Sequence, residues 1–209
     1  MLEIENEQIL EFKNSIDTNN NVIEKINKFI LLIDNYQKKF NLIGKSTREN
    51  IWSRHILDSA QIINYLPEQK QNDLVLDVGT GAGFPGIVLS ILGRTDIVLC
   101  DKSYKKTNFL KLVSEECELK VKIFKGQIEE FQESNIKIIL SRAFSPLKKL
   151  FRSVKHIIEP ETIFLIHKGK SYMSELEEAS NVYTFNYKCY KSLTDPCARI
   201  IKINQVVKI

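Results

Sequence analysis

The sequence predicts an α/β fold: a mostly parallel sheet with helices on both faces, finished by an antiparallel hairpin and preceded by helices. Three observations predict it. From Leu74 onward, short runs rich in Val, Ile and Leu alternate with helical patterns, the signature of parallel strands joined by crossover helices. Residues 182–192 and 198–207 read as two strands joined only by Leu193-Thr194-Asp195-Pro196-Cys197. With no helix between them they must pair antiparallel at a sheet edge. Before Leu74 the periodicity is helical throughout. The 209 residues suffice for one such domain, over 73–209, and a helical extension, over 1–72, packed on it.

Taken in order, residues 2–16 are weakly helical, with Ile9, Leu10, Phe12 and Ile16 as the apolar positions. Val22, Ile23, Ile26, Phe29, Ile30, Ile33, Tyr36 and Phe40 recur at three and four residues, so an amphipathic helix spans 22–40. A third helix is expected over 47–66, with Ile51, Trp52, His55, Ile56, Ser59, Ile62 and Ile63 as its stripe and Pro67 as its stop. Strands are expected at 74–78, 97–100, 121–124, 136–140 and 163–166, and helices at 84–92, 104–117, 146–158 and 172–179.

The stretch Asp73 to Gly86, D-L-V-L-D-V-G-T-G-A-G-F-P-G, organises the rest. A strand holding Asp77 breaks into Gly79, Gly81 and Gly83, and Pro85 opens a helical pattern. Alternating glycines cost strand and helix stability, which close approach of a ligand to the backbone explains. Two cofactor classes compete for the loop. Gly81, Gly83 and Gly86 satisfy the dinucleotide spacing, with Asp101 about twenty residues past the first of them. Gly79, Gly81 and Gly83 after an acid equally give the G-x-G-x-G pattern of S-adenosylmethionine sites. Asp77 separates the two: a pyrophosphate roughly 5 Å from a carboxylate is repelled by about 3 kcal/mol per charge pair at an effective dielectric of about 20, whereas a sulfonium is attracted.

Composition narrows the class. No run approaches the roughly 18 apolar residues of a membrane span, and the first twenty residues lack the pattern of a signal peptide, so a cytoplasmic protein is expected. Cys100, Cys117, Cys189 and Cys197 form no C-x-x-C pair, which argues against zinc and a disulfide framework. The net charge is +4, but residues 1–72 carry nine basic and ten acidic side chains, so the positive excess lies in 73–209. Lys137, Arg142, Lys148, Lys149, Arg152, Lys155, Lys168 and Lys170 face only Glu159 and Glu161 within 137–170. Such an excess attracts polyanions, though a solvated face would read the same.

Arg54-His55-Ile56-Leu57-Asp58-Ser59, the glycine loop from Asp77 to Gly86, Asp101 with Lys105 and Lys106, Ser141-Arg142-Ala143-Phe144 and Lys168-Gly169 stand in register. Together they resemble the glucose-inhibited division protein B family, also called RsmG, from about Asn41 to Lys170. The helix signature at Arg54 to Ser59 is foreign to generic methyltransferases. The resemblance implies a Rossmann-like methyltransferase fold that uses S-adenosylmethionine to methylate guanine N7 in 16S ribosomal RNA of the small subunit; a monomer without a metal is expected. It also implies that Gly79, Phe84, Ile128, Glu129 and Arg142 contact the cofactor. His167 departs from the family, which usually has an apolar residue before Lys-Gly.

Residue chemistry assigns further roles. Asp77, Gly81 and Gly83 belong to the cofactor loop, and Asp101, at the end of the second strand, can accept both ribose hydroxyls or cap the next helix. Ile128 can pack on an adenine face, with Glu129 either at its edge or simply exposed. Arg142, at the carboxyl end of a central strand, needs an anion or acceptor to offset desolvation: a methionine carboxylate, an RNA phosphate or the guanine carbonyl. Arg54, His55 and Lys168 are candidates for RNA contact. For His55 the competing reading is a buried, hydrogen-bonded histidine, for Lys168 a solvated lysine. His156 is expected to be structural. A dinucleotide-dependent oxidoreductase, a small-molecule methyltransferase and a non-catalytic RNA-binding module are the rival readings.

Overall fold

The computed structural model describes residues 2–209. Its centre is a seven-stranded sheet in the order β3-β2-β1-β4-β5-β7-β6. The strands are β1 (Leu74–Val78), β2 (Ile97–Asp101), β3 (Lys122–Lys125), β4 (Ile136–Arg142), β5 (Ile163–Lys168), β6 (Tyr183–Lys191) and β7 (Arg199–Lys208). β1 to β5 pair in parallel, while β7 pairs antiparallel with both β5 and β6. The expected edge hairpin is therefore present, with β7 inserted between β5 and β6. β1, β2, β4 and β5 are buried on both faces, which is why they read as continuous apolar runs rather than alternating ones.

Crossover helices α5 (Gly86–Ile91), α6 (Tyr104–Glu116), α7 (Leu147–Val154) and α8 (Tyr172–Ser180) follow β1, β2, β4 and β5. After β3 a single 3-10 turn, Ile128–Glu130, takes the place of a helix. The chain order reverses between β1 and β4, and at such a switch point the loops leaving two neighbouring strands diverge and open a crevice.

Ahead of the sheet lie α1 (Leu2–Ser15) and α2 (Asn20–Gln37), the latter capped by Asn19, whose side chain accepts from Val22 N at 3.1 Å. Phe29 of α2 sets its ring 5.3 Å from Phe84 and 6.4 Å from Phe109, so the extension shares one apolar cluster with α5 and α6.

The expected third helix is not regular. It divides into α3 (Lys45–Arg48), a π-helical turn (Trp52–Leu57), α4 (Asp58–Ala60) and a 3-10 turn (Gln61–Tyr65). The apolar stripe is nonetheless buried, including Ile51, Trp52, Ile56 and Ile62. Periodicity located the segment but not its broken ladder, at which the Arg54 carbonyl is bonded by Arg142, 88 positions on.

Candidate active site

The glycine loop leaves β1 at the switch point. Gly79 and Gly81 take φ of +70° and +64°, a region that penalises any Cβ. A Cβ on Gly79 would also lie 2.3 Å from Phe144 Cδ2. On Gly81 the nearest atom would be 3.9 Å away, so this is the loop position whose outer side is open. The loop bonds itself closed: Gly79 N and Thr80 N donate to Cys100 O, Gly83 N and Phe84 N to Thr80 O, Gly81 N to Asp101 Oδ2 and Gly86 N to Asp77 Oδ2. A pyrophosphate site needs a row of free N–H donors, and here those six are already taken.

Asp77 does not face the cavity, contrary to the sequence expectation. It lies wholly buried under the loop, with Oδ2 accepting Thr80 Oγ1 at 2.6 Å and Gly86 N at 2.8 Å, while Oδ1 has no partner. Burial pushes its carboxyl up to about 6, against the lowering effect of those two hydrogen bonds. Asp77 is a clamp on the loop's inner side, so the discrimination against phosphate rests on spent N–H groups rather than on repulsion by this acid.

Asp101 ends β2 where the sequence placed it. Its Oδ2 accepts Gly81 N at 3.0 Å and its Oδ1 accepts Ser103 N at 2.8 Å, with Lys106 Nζ 3.8 Å away. It is not the cap of α6; Ser103 is, through Lys106 N. A carboxylate fixed at the rim of an open glycine is a fit for ribose hydroxyls, each oxygen keeping a further lone pair. Beyond β3, Ile128 is buried and Glu129 exposed, its carboxyl held low first by a hydrogen bond from Ser153. Asp101 and the open side of Gly81 fit a ribose carrying no phosphate, as in S-adenosylmethionine, whereas Ile128 packs into the core and neither it nor Glu129 lines the cavity described next.

Across the switch point a cavity of about 730 Å³ runs from Gly79, Gly81 and Phe84 to Arg54, His55, Asp58 and Arg142. Arg142 lies over the Phe84 ring at 5.0 Å. Its offsetting anion comes from the chain itself: Nη1 donates to Asp58 Oδ2 at 3.0 Å and to Arg54 O at 3.2 Å, and Nη2 pairs with His55 Nδ1 at 2.8 Å. His55 is thus the buried, bonded histidine of the competing reading. Burial first, and then the Arg142 charge, pull its pKa down to about 4, so it is neutral at pH 7. Its Nδ1 accepts from Arg142, which places the proton on Nε2, directed at Thr47 Oγ1 2.7 Å away.

The π-helical turn explains this junction. Asp58 N donates to Ser53 O and His55 O rather than to Arg54 O, and the carbonyl thereby released accepts Arg142. Interruptions of this kind recur at functional sites.

Arg54 itself is half exposed at the mouth, 3.7 Å from Asp195. Lys168 is neither solvated nor turned outward. Its side chain is only 11% exposed, with Nζ 2.7 Å from both Glu175 Oε2 and Ser145 O. Its charge is spent on the adjoining helix. His156 is structural, bonding Phe131 O at 2.9 Å. Sequence reasoning gave no role in the site to Asp58, His167 or Thr194. Asp58 sits inside the Arg54 to Ser59 signature, the one signal that pointed at it. Among the described residues no cluster of His, Cys, Asp and Glu is suited to a metal, and no helix is long and apolar enough to cross a membrane.

Comparison with known proteins agrees on the class. The protein-family profile described as "GidB: rRNA small subunit methyltransferase G" matches residues 22–200. A ribosomal RNA small subunit methyltransferase G from Rickettsia prowazekii is 39% identical over 188 residues, 90% of this chain and 96% of the relative. The protein of that name from Rickettsia bellii is 37% identical over 93% of this chain and 99% of its own length. Among solved structures, a ribosomal protein L11 methylase from Lactobacillus delbrueckii superposes with a TM-score of 0.59 at 13% identity, over 78% of this chain and 80% of that one. A mutant of MtNAS in complex with S-adenosylmethionine gives 0.59 at 12% identity, over 87% and 74%. At such identities the structural likeness concerns the fold.

Proposed function

The chain belongs to the GidB family of small-subunit ribosomal RNA methyltransferases, and from that premise we propose that it methylates N7 of one guanine in 16S ribosomal RNA with S-adenosylmethionine. The observation that carries this reading is the single cavity joining the phosphate-refusing glycine loop to the wall built from the Arg54 to Ser59 segment. The cofactor would supply an electrophilic methyl group on a sulfonium.

In this reading Asp101 accepts the ribose hydroxyls, Ile128 packs on the adenine, and Glu129 and the backbone beside it meet the adenine edge. Gly79, Gly81 and Gly83 let the loop approach the ligand, and Asp77 holds that loop from below. Phe84 and Arg142 form the wall between the cofactor and substrate ends. Arg54, exposed at the mouth, is the candidate for RNA phosphate, and His55 acts through Arg142 rather than on RNA directly.

Guanine N7 has a lone pair and no proton at neutral pH, so the reaction calls for no general base. The site agrees in kind. His55 has both ring nitrogens engaged, and Asp77, the acid with a raised pKa, is sealed beneath the loop. What remains for the protein is alignment and exclusion of water. The target base must leave its stack to enter the cavity, which favours a loop nucleotide. We place the enzyme in the cytoplasm, where small-subunit ribosomal RNA is made, and as a monomer.

The test is mapping of N7-methylguanine in ribosomal RNA from cells with and without the gene, together with transfer of labelled methyl to purified small subunits. Loss of one modified guanine and its restoration in vitro are expected. Ribosomal RNA binding with no transfer of label would make the chain a non-catalytic binding module.

A further inference from the structure

Arg142 lies between the two ends of the cavity, and its ion-pair partner there is Asp58. Neither carboxylate oxygen of Asp58 is free to swing. Oδ1 accepts Thr194 Oγ1 and Gln61 Nε2, both at 2.9 Å, which leaves Oδ2 aimed at Arg142 Nη1. The backbone is pinned as well, because Asp58 O accepts His167 Nε2 at 2.6 Å and Gln61 Nε2 at 3.0 Å. Three elements therefore converge on this residue: the end of β4 through Arg142, the end of β5 through His167, and the β6–β7 connection through Thr194.

The consequence for Arg142 follows from counting its donors. A guanidinium has five N–H groups. Both on Nη1 go to Asp58 and Arg54 O, and one on Nη2 goes to His55. Nε–H and one N–H of Nη2 have no acceptor among the described residues, and Nε and Nη2 share one edge of the guanidinium. Such an edge matches two oxygens of one oxyanion. A mobile arginine would lose this selectivity, since either end could turn toward the ligand.

We infer that Asp58 is a positioning residue for the methyl transfer proposed above, on which this inference rests: it holds Arg142 so that the Nε–Nη2 edge is kept for an oxyanion of cofactor or RNA. Asp58 touches neither partner itself and acts only through the guanidinium.

The experiment is a double-mutant cycle of Asp58→Asn and Arg142→Gln, read as kcat/KM for methyl transfer to small-subunit RNA, as calorimetric affinity for S-adenosylmethionine alone, which falls only if the oxyanion is the cofactor's, and, independently, by nitrogen-15 NMR of the Arg142 side chain. In the wild type the guanidinium resonances should report slow rotation. Asp58→Asn, which keeps the size of the side chain, should collapse them to the fast-rotating average and lower kcat/KM about thirtyfold. Arg142→Gln should cost at least as much, and the double variant no more than Arg142→Gln alone, because residues acting as one unit are not additive. Thr194→Val removes one of the two donors to Oδ1 without removing a charge, and should weaken the same resonances with a loss of about threefold.

Losses that multiply in the double variant, or resonances unchanged in Asp58→Asn, would overturn the positioning role. A wild type that transfers no methyl to ribosomal RNA would instead remove the enzyme reading. In that case the NMR measurement still decides whether Asp58 holds Arg142.

Discussion

Asp77 and His55 titrate against each other across the same pH range. His55 has its pKa lowered from 6.5 to about 4 by burial, so the folded state binds fewer protons than the unfolded chain. By linkage its contribution, about 3 kcal/mol, is full above pH 6.5 and lost as pH falls toward 4. Asp77 is raised from 3.8 to about 6. Its contribution, also about 3 kcal/mol, is full below its unfolded pKa and lost as pH rises through 6. In the wild type the two nearly cancel between pH 4 and 6.5. Asp77→Asn removes the acid's half and leaves an acceptor for Thr80 and Gly86. The variant should match or exceed wild-type stability at pH 7, then lose about 3 kcal/mol relative to it by pH 4. Urea titrations at several pH values check this, and parallel curves would show that the carboxyl is not buried as described. Asp101 gives a second expectation. Asp101→Ala strips the partner from Gly81 N, and Gly81→Asp fills the loop's open side beside Asp101. Each should weaken S-adenosylmethionine binding at least about thirtyfold while the protein stays folded, measured by calorimetry. Asp101 and the glycines were legible in the sequence because a strand, a turn and a helix fix their spacing. Asp58 was not, since its bond to Arg142 spans eighty-four positions and that to Thr194 spans 136. No local pattern carries such a contact.

Among the elements, strands and crossover helices were readable to within a few residues, because burial on one face leaves a period in the sequence and burial on two leaves a short continuous apolar run. The segment from Lys45 to Tyr65 shows where that signal ends. Its apolar stripe is satisfied by any roughly helical path, and at the π turn the Arg54 carbonyl is bonded by Arg142 rather than by Asp58 N. Deleting Ser53 would restore the regular ladder and rotate one flank by about 100° relative to the other. Either Trp52 leaves its edge-on contact with Phe12, at 5.4 Å, or His55 leaves Arg142. The expected result is a folded protein with a Tm lower by several degrees and methyl transfer reduced more than about a hundredfold. Thermal scans and transfer of labelled methyl measure the two effects, and retained activity would show that the π turn does not set the site. The Lys137 to Lys170 excess was legible as charge but not as geometry. Lys137 pairs with Glu159, Arg142 with Asp58 and Lys168 with Glu175, so the exposed remainder on and after α7 is Lys148, Lys149, Arg152, Lys155 and Lys170.

At the scale of the molecule, the helical extension and the sheet share their interior. Phe29 is fully buried between Phe84 and Phe109, and Phe84 in turn lies under His55, at 5.0 Å, and Arg142. A cluster of this kind cannot be divided between residues 1–72 and 73–209 without exposing large apolar surface on both sides. Phe29→Ala should therefore cost about 3–5 kcal/mol, as core phenylalanine truncations do, and should lower methyl transfer too, because the support of the Phe84 ring is gone. The chain offers a direct test of cooperativity: its single tryptophan, Trp52, sits in the extension, while the strands dominate in 73–209. Trp52 fluorescence and far-ultraviolet circular dichroism should trace one coincident urea transition in the wild type, shifted together to lower urea in Phe29→Ala. Two separated transitions, with tryptophan unfolding first and the sheet persisting, would mean that the helices are a detachable module and that the site's Arg54 to Asp58 wall can leave the cofactor end behind.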